Sequence, residues 1–467
     1  MKALSRGWMA VLTLVLAGLV RGAGADDRPP EPVDSAGPTA SEQQYQKSEA
    51  ELKLLMLFAD TFEQIRRNYV KEVTDRELME AAIQGMLSKL DQYSNFIPPE
   101  RLQRFKSGVE NEFGGIGIIV STRKGRLEII SPLVGTPAYR AGMLPGDHIL
   151  EIGGQTTEGM TIDGAITLMK GEIGSSIDVK IRHAGDKTPV VLNLKREIIR
   201  VPTVFGHRRN ADDSWDYFCD RRRKIGYVRM TGFGRHSVAE LRSAIRRLRK
   251  QEMRGLILDL RFNPGGLLSA AIQVCDMFVS QGVIVSTQGR NTPKRVWRAR
   301  KSDTHAGFPM VVLVNHYSAS ASEIVSACLQ DHNRATVVGE RSWGKGSVQN
   351  IIELENGLSA LKLTTAGYRR PSGKNIHRFE GASEQDEWGV KPNDGFEVKF
   401  SGAENRALTA FRQQLDVVKR PTAAATASDP LDFDDRQLNK ALEFLASQLP
   451  APAAIVGEVP PMPPADP

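Results

Sequence analysis

Two stretches limit the fold of this chain more than any others. The runs GLILDLR (Gly255–Arg261) and MVVLV (Met310–Val314) lack the polar/apolar alternation of a strand with one wet face. They read as strands buried on both sides, as in parallel sheets. Each leads into a turn rich in glycine or serine and then into a helical pattern. Parallel strands need a crossover connection, usually a helix. Residues 201–420 are therefore expected to form an α/β core.

The flanks read differently. Residues 108–200 hold short β-like runs, GIGIIV, RLEIIS, DHILEIGG, SIDVKIRH and PVVLNLKRE, separated by glycine turns, with one amphipathic helix expected at Thr161–Lys170. Residues 41–107 are helical in pattern: Leu55, Phe58, Phe62 and Ile65 recur at steps of three and four, and a second helix is expected at Glu77–Leu90. Such an arm either pairs with a second copy or packs on its own chain. Residues 421–467 comprise a linker, one short helix in DDRQLNKALEFLASQL, and a Pro- and Ala-rich tail expected to be disordered.

At the other end, Lys2 and Arg6 precede an apolar run, Trp8–Val20, too short to span a bilayer comfortably. Ala23-Gly24-Ala25 supplies small residues for cleavage before Asp26. Residues 1–25 thus read as a secretory signal and 26–40 as a linker, which implies a periplasmic or otherwise extracytoplasmic protein. An uncleaved signal would leave it membrane-associated. The net charge of +7 is partly local, as in Arg221–Lys224 and LRSAIRRLRKQ. There Leu241, Ala244, Ile245 and Leu248 make one face and the arginines a solvated one, so no nucleic-acid partner is expected. Three cysteines make no disulfide framework, and the eight histidines show no metal-binding spacing. No metal or cofactor is expected.

The chemistry turns on Lys345 in GERSWGKGS. Gly339, Gly344 and Lys345 fit a phosphate-binding loop, but Gly346 stands where that loop needs Ser or Thr. The following SVQNIIELENGLSALKLTTAGYRR reads as a hairpin turning at Asn356-Gly357, not as the helix a phosphate would require. A partly buried lysine can instead lose its proton and serve as a base for a serine. Glycines on both sides would let the chain pass tightly beneath a substrate. VNHYSASASEIVSACLQD offers Ser318, Ser320 and Ser322 at a strand–turn–helix junction. LDLRFNPGGLL ends a buried strand at Gly265 and Gly266, whose amides could stabilise an oxyanion. The histidine rival would use His316 or His332, but Asp331 and His332 point apart if helical.

Together these stretches resemble the carboxyl-terminal processing proteases, secreted Ser-Lys endopeptidases with a PDZ domain inserted before a crotonase/ClpP-like core. The resemblance spans about Glu77–Lys399. It implies Ser320 as nucleophile and Lys345, 25 residues later, as base. Gln349 would orient the lysine. An aspartate implicated in some members matches Asp331, expected as support rather than base. Ala321 and Gly265 or Gly266 would form the oxyanion hole. GTPAYRAGMLPGDHILEIGGQTTEG matches the family's PDZ element, and Gly114, Gly115, Ile116, Gly117 and Ile118 would form its carboxylate-binding loop. The implied partners are protein or peptide substrates with free apolar C-termini, an adaptor, and a second copy through the N-terminal helices. A non-catalytic PDZ scaffold is the alternative. The chain departs from the family pattern at the acidic insertion 380–388, which bears on substrate preference.

Overall fold

The computed structural model describes residues 40–102, 105, 112–123, 125–418 and 432–449. The expected signal, most of both linkers and the Pro/Ala-rich tail lie outside these residues. The chain divides between Met79 and Glu80 into two compact units. The first holds the helix Ala40–Asn68 and the start of Asp75–Ser88. Thr74 and Glu77 cap the second helix reciprocally, the Thr74 amide donating to Glu77 Oε2 at 2.9 Å and the Glu77 amide to Thr74 Oγ1 at 3.2 Å.

In the second unit the two apolar runs lie side by side. The strands Ile225–Met230, Gly255–Asp259, Met310–Val314 and Thr336–Gly339 are parallel and adjacent in that order. Alternation across them explains why both faces must be apolar. Leu256, Leu258, Val312 and Val314 face helices Ser237–Lys250, Leu268–Asp276 and Ala321–Asp331. Ile257, Val311, Leu313 and Val338 face the helix Arg436–Gln448, which buries Ala441 and Leu445 against them. The short C-terminal helix is thus the second cover of this parallel sheet. On helix Ser237–Lys250 the apolar stripe Leu241, Ala244, Ile245 and Leu248 is buried and the arginines are exposed, as its spacing predicts.

A second sheet carries the expected hairpin, Ser347–Leu354 paired with Ser359–Arg369, and Asn356 and Gly357 take positive φ at its turn. The short strand Asn95–Ile97 adds to the hairpin's other edge.

The β-rich module has its own core around Ile129, Ile152, Val179 and Ile181. Its sheet runs Ile118–Arg123, Arg126–Pro132, His148–Ile152, Ser176–Arg182, Val190–Lys195. The helix is Ile162–Met169, capped by Thr161, whose hydroxyl accepts from the Gly164 amide. Entry strand Glu112–Gly115 pairs with exit strand Glu197–Arg200. The module therefore leaves and rejoins the chain at one place, as an insertion must. Strand Ile118–Arg123 lies at the sheet's edge, so one side is open to an added strand.

Candidate active site

Met310–Val314 ends in a turn whose Asn315, Ser318 and Ala319 are buried and whose Tyr317 is exposed, and helix Ala321–Asp331 starts immediately after Ser320. Of the three competing serines, two are structural. Ser318 is fully buried and donates to the Leu260 carbonyl at 2.8 Å; Ser322 is fully buried and donates to the Asn263 carbonyl at 2.9 Å. Ser320 is only partly buried and sits at φ 56°, ψ −113°. That backbone is strained for a residue with a Cβ, by about 1–3 kcal/mol in general. It presents the side chain at the top of the turn. Gly265 lies directly against it: a Cβ there would come within 2.8 Å of Ser320 Cβ and of the Ala321 nitrogen.

One carboxylate joins this turn to the lysine loop. Glu323 is fully buried. Its Oε2 accepts from the amides of Ser320 and Lys345, both at 2.8 Å; its Oε1 accepts from Ser342 Oγ and the Gly344 amide, both at 2.6 Å. The backbones of Ser320 and Lys345 therefore meet on a single oxygen. Burial pushes the Glu323 pKa up to about 7, while these hydrogen bonds favour the ionised form.

Lys345 is half-buried, its Nζ 4.7 Å from the centre of the Tyr93 ring. Burial, then the nearby Lys362 ammonium, push its amine below the ordinary lysine range, while Glu323 and Asp91 pull the other way. Tyr93 is itself held, its hydroxyl accepting from Trp343 Nε1 at 3.3 Å. The flanking glycines are required by close packing within the chain. A Cβ on Gly346 would come within 2.4 Å of the His377 nitrogen, and one on Gly344 within 2.7 Å of Arg378 Cβ. They let the lysine loop press against His377 and Arg378.

Among the described residues Gln349 makes no hydrogen bond to Lys345. Its amide donates to Ser347 Oγ at 2.9 Å and Thr364 Oγ1 at 3.1 Å, and Thr364 Oγ1 donates in turn to Asp91 at 3.2 Å. The two glycines of the Asn-Pro-Gly-Gly turn also differ. The Gly265 amide donates to Asn263 Oδ1 at 2.9 Å, whereas those of Gly266 and Ala321 have no acceptor among the described residues.

Sequence profiles agree with this arrangement. Peptidase family S41 matches residues 224–393, the PDZ domain 128–183, and the activating protease CtpB N-terminal domain 29–100. The carboxy-terminal-processing protease of Bartonella bacilliformis is 38% identical over 415 residues, 85% of this chain and 89% of the relative. The chain belongs to the carboxy-terminal-processing proteases of family S41. The carboxyl-terminal-processing protease of Synechocystis is 32% identical over 79% of this chain and 83% of its own length. CtpB of Bacillus subtilis is 31% identical over 74% and 70%. The protein is a serine peptidase with an inserted PDZ domain and an N-terminal helical region.

Within this serine peptidase the remaining candidates separate from the site. Asp331 ends the helix that follows Ser320, about 16 Å of helical rise away from it. Burial would raise its pKa, but the Arg370 guanidinium, at 2.6 Å and 2.9 Å, and the Ser372 amide hold it below the usual range. It anchors the strand end that leads into Arg370, away from Ser320. His316 pairs with Glu340 at 2.6 Å, and His332 Nε2 meets the Val283 carbonyl at 2.7 Å at the far end of the same helix. The acidic insertion folds onto the lysine loop. Arg341 donates to the carbonyls of Glu384 and Trp388 and stacks on the Trp388 ring, 3.4 Å from its centre.

Sequence reasoning missed Glu323 and Tyr93. Glu323 had a signal: Ser followed three residues later by Glu is a capping box, and its amide-accepting half is present here. Tyr93 had none, because it comes from a segment far earlier in the chain.

Proposed function

We propose that the protein is an extracytoplasmic endopeptidase that takes substrates by their C-termini and cleaves them through a Ser320–Lys345 dyad. The observation that carries this is Glu323, which ties the amides of Ser320 and Lys345 to one oxygen while burial lowers the basicity of Lys345. Neutral Lys345 would take the Ser320 proton as Oγ bonds to the scissile carbonyl carbon. The amides of Ala321 and Gly266 would receive the oxyanion. Collapse would break the C–N bond, with the Lys345 ammonium returning the proton to the leaving amine. Water activated by the same amine would then hydrolyse the ester. Gln349, through Thr364 and Asp91, braces the strand beside the base.

The PDZ module would capture the substrate's terminal carboxylate on the amides of Ile116 and Gly117, which have no acceptor among the described residues. The peptide would extend as a strand along the open edge of Ile118–Arg123. Gly114 and Gly115 contribute from the entry strand, paired with Ile198 and Glu197, and so hold the loop's base rather than its donors.

Labelling with a serine-directed fluorophosphonate and cleavage of an unfolded casein substrate test the reading. Ser320→Ala and Lys345→Ala should each lose at least about a thousandfold in cleavage. An Lys345→Ala enzyme that cleaves as fast as wild type would overturn it.

The N-terminal signal pattern supports export with cleavage before Asp26; the N-terminal sequence of the mature chain checks this. The helix Ala40–Asn68 leaves Leu52, Leu55 and Phe58 exposed, which supports pairing with a second copy or an adaptor. Sedimentation of the chain with and without residues 26–68 reads which.

A further inference from the structure

Beside the dyad, a cavity of about 670 Å³ opens between the oxyanion turn and the hairpin. Its lining includes Val201, Phe233, Gly266, Gln349, Ile351 and Lys362. Apolar walls next to the oxyanion glycines fit a stretch of peptide chain held at the scissile bond. The one charged side chain in that described lining is Lys362. The register explains how it gets there. On the strand Ser359–Arg369, Lys362 stands opposite Ile351 on one side and Asn95 on the other, and two residues along Thr364 stands opposite Gln349. Lys362 and Thr364 share a face, as do Ile351 and Gln349, so the lysine lies on the same wall as the glutamine near the base.

Lys362 is half-buried, and among the described residues it makes no ion pair and no side-chain hydrogen bond. It is close enough to Lys345 to depress that amine's basicity, second only to burial. A cation kept partly out of water beside another amine is unfavourable unless an anion joins it. Nothing in the described cavity wall supplies that anion, so the bound peptide is the group that can. The terminal carboxylate is already assigned to the PDZ loop, which leaves a side chain.

We infer that Lys362 is a specificity residue that pairs with a substrate aspartate or glutamate side chain within a few residues of the scissile bond. This rests on the dyad reading above. An apolar peptide with one well-placed acid would fill the cavity and meet the cation through a charge-assisted hydrogen bond.

The test uses the full chain and internally quenched apolar peptides. A single Glu is walked through the positions on each side of the cleaved bond, each peptide is matched by its Gln counterpart, and each is made with a free and with an amidated C-terminus. At one position the Glu peptide should exceed its Gln counterpart by at least about tenfold in kcat/KM. Lys362→Gln should bring that ratio near unity, and Lys362→Glu should invert it in favour of a Lys peptide. Removing Lys362 also alters the basicity of Lys345, but that acts equally on both peptides of a pair, so the ratio isolates recognition. Wild type that cleaves the series with no preference for Glu at any position overturns the inference while leaving the dyad standing. So does a preference that persists in Lys362→Gln. A Lys362-dependent preference for the free C-terminus over the amide, with none for Glu, overturns it in favour of the terminal carboxylate. Wild type that is neither labelled by fluorophosphonate nor able to cleave any peptide fails the dyad reading instead.

Discussion

At the scale of single residues, the proposed dyad would depend on two protonation states that must coexist. Lys345 would have to be neutral to accept a proton, and burial lowers its pKa in that direction. Glu323 must be ionised, since both its oxygens accept hydrogen bonds and a protonated acid would turn a hydroxyl toward donors. Both requirements have the same sign: activity rises with pH. The Glu323 limb should fall near its value of about 7. A kcat/KM profile flat from acid to alkaline pH would contradict this. Lys345→Arg keeps charge and bulk, but a guanidinium does not lose its proton. It should fold normally and lose at least about a thousandfold in turnover, read by the same peptide assay with circular dichroism as the control. Glu323→Gln is nearly isosteric yet places an amide donor among four donors. It should lower kcat by about ten- to a hundredfold with a smaller change in KM, and remove the limb near pH 7. An unaltered pH profile in this variant would assign that limb to Lys345 alone.

At the scale of elements, a buried ionic cluster locks the C-terminal helix to the catalytic sheet. Arg261 is almost wholly buried after the strand Gly255–Asp259, with Asp259 at 2.7 Å and Asp435, the cap of helix Arg436–Gln448, also at 2.7 Å. Arg412 joins Asp259 from helix Gly402–Asp416. Burial alone would raise the Asp435 pKa, but Arg261 holds it below the ordinary carboxylate range. Its contribution to stability is thus present above the unfolded-state value of about 3.9 and is lost as pH falls through the folded value. Asp435→Ala leaves a buried guanidinium without one partner and should cost about 3–5 kcal/mol in urea unfolding at neutral pH. The deficit relative to wild type should shrink toward acid pH. A loss below about 1 kcal/mol would show that water reaches Arg261.

At the scale of the whole molecule, the PDZ module is an insertion with paired entry and exit strands and its own core. It meets the protease core through specific bonds, among them Tyr139 Oη donating to Asp213 at 2.9 Å. If the module takes the terminal carboxylate, a substrate ending in an amide should be cleaved with a KM raised at least about tenfold and kcat little changed, because the lost contact is remote from the reacting atoms. Matched free and amidated peptides measured by initial rates decide it. Equal KM values would leave the module a role other than carboxylate capture.

Local pattern alone determined much of this protein. Buried strands followed by helices, the hairpin at Asn356-Gly357, the basic helix with its apolar stripe and the capped module helix are all encoded in neighbouring residues, because periodicity and turn chemistry act over a few positions. The motifs around Ser320 and Lys345 were visible in the same way. What tertiary structure alone decided lies in contacts between distant segments. Glu323 reaches residues 19 to 22 positions away to bind the lysine loop. Tyr93 covers Lys345 from a segment some 250 residues earlier. Arg261 finds Asp435 at a separation of 174 residues. In sequence Asp331 and Gln349 stand among the site candidates, one as support and one to orient the lysine, yet a helix carries the first to its end opposite Ser320 and a strand turns the second toward Thr364. Charges and hydrogen-bond donors act over a few ångströms, so their roles were decided only when folding set those distances.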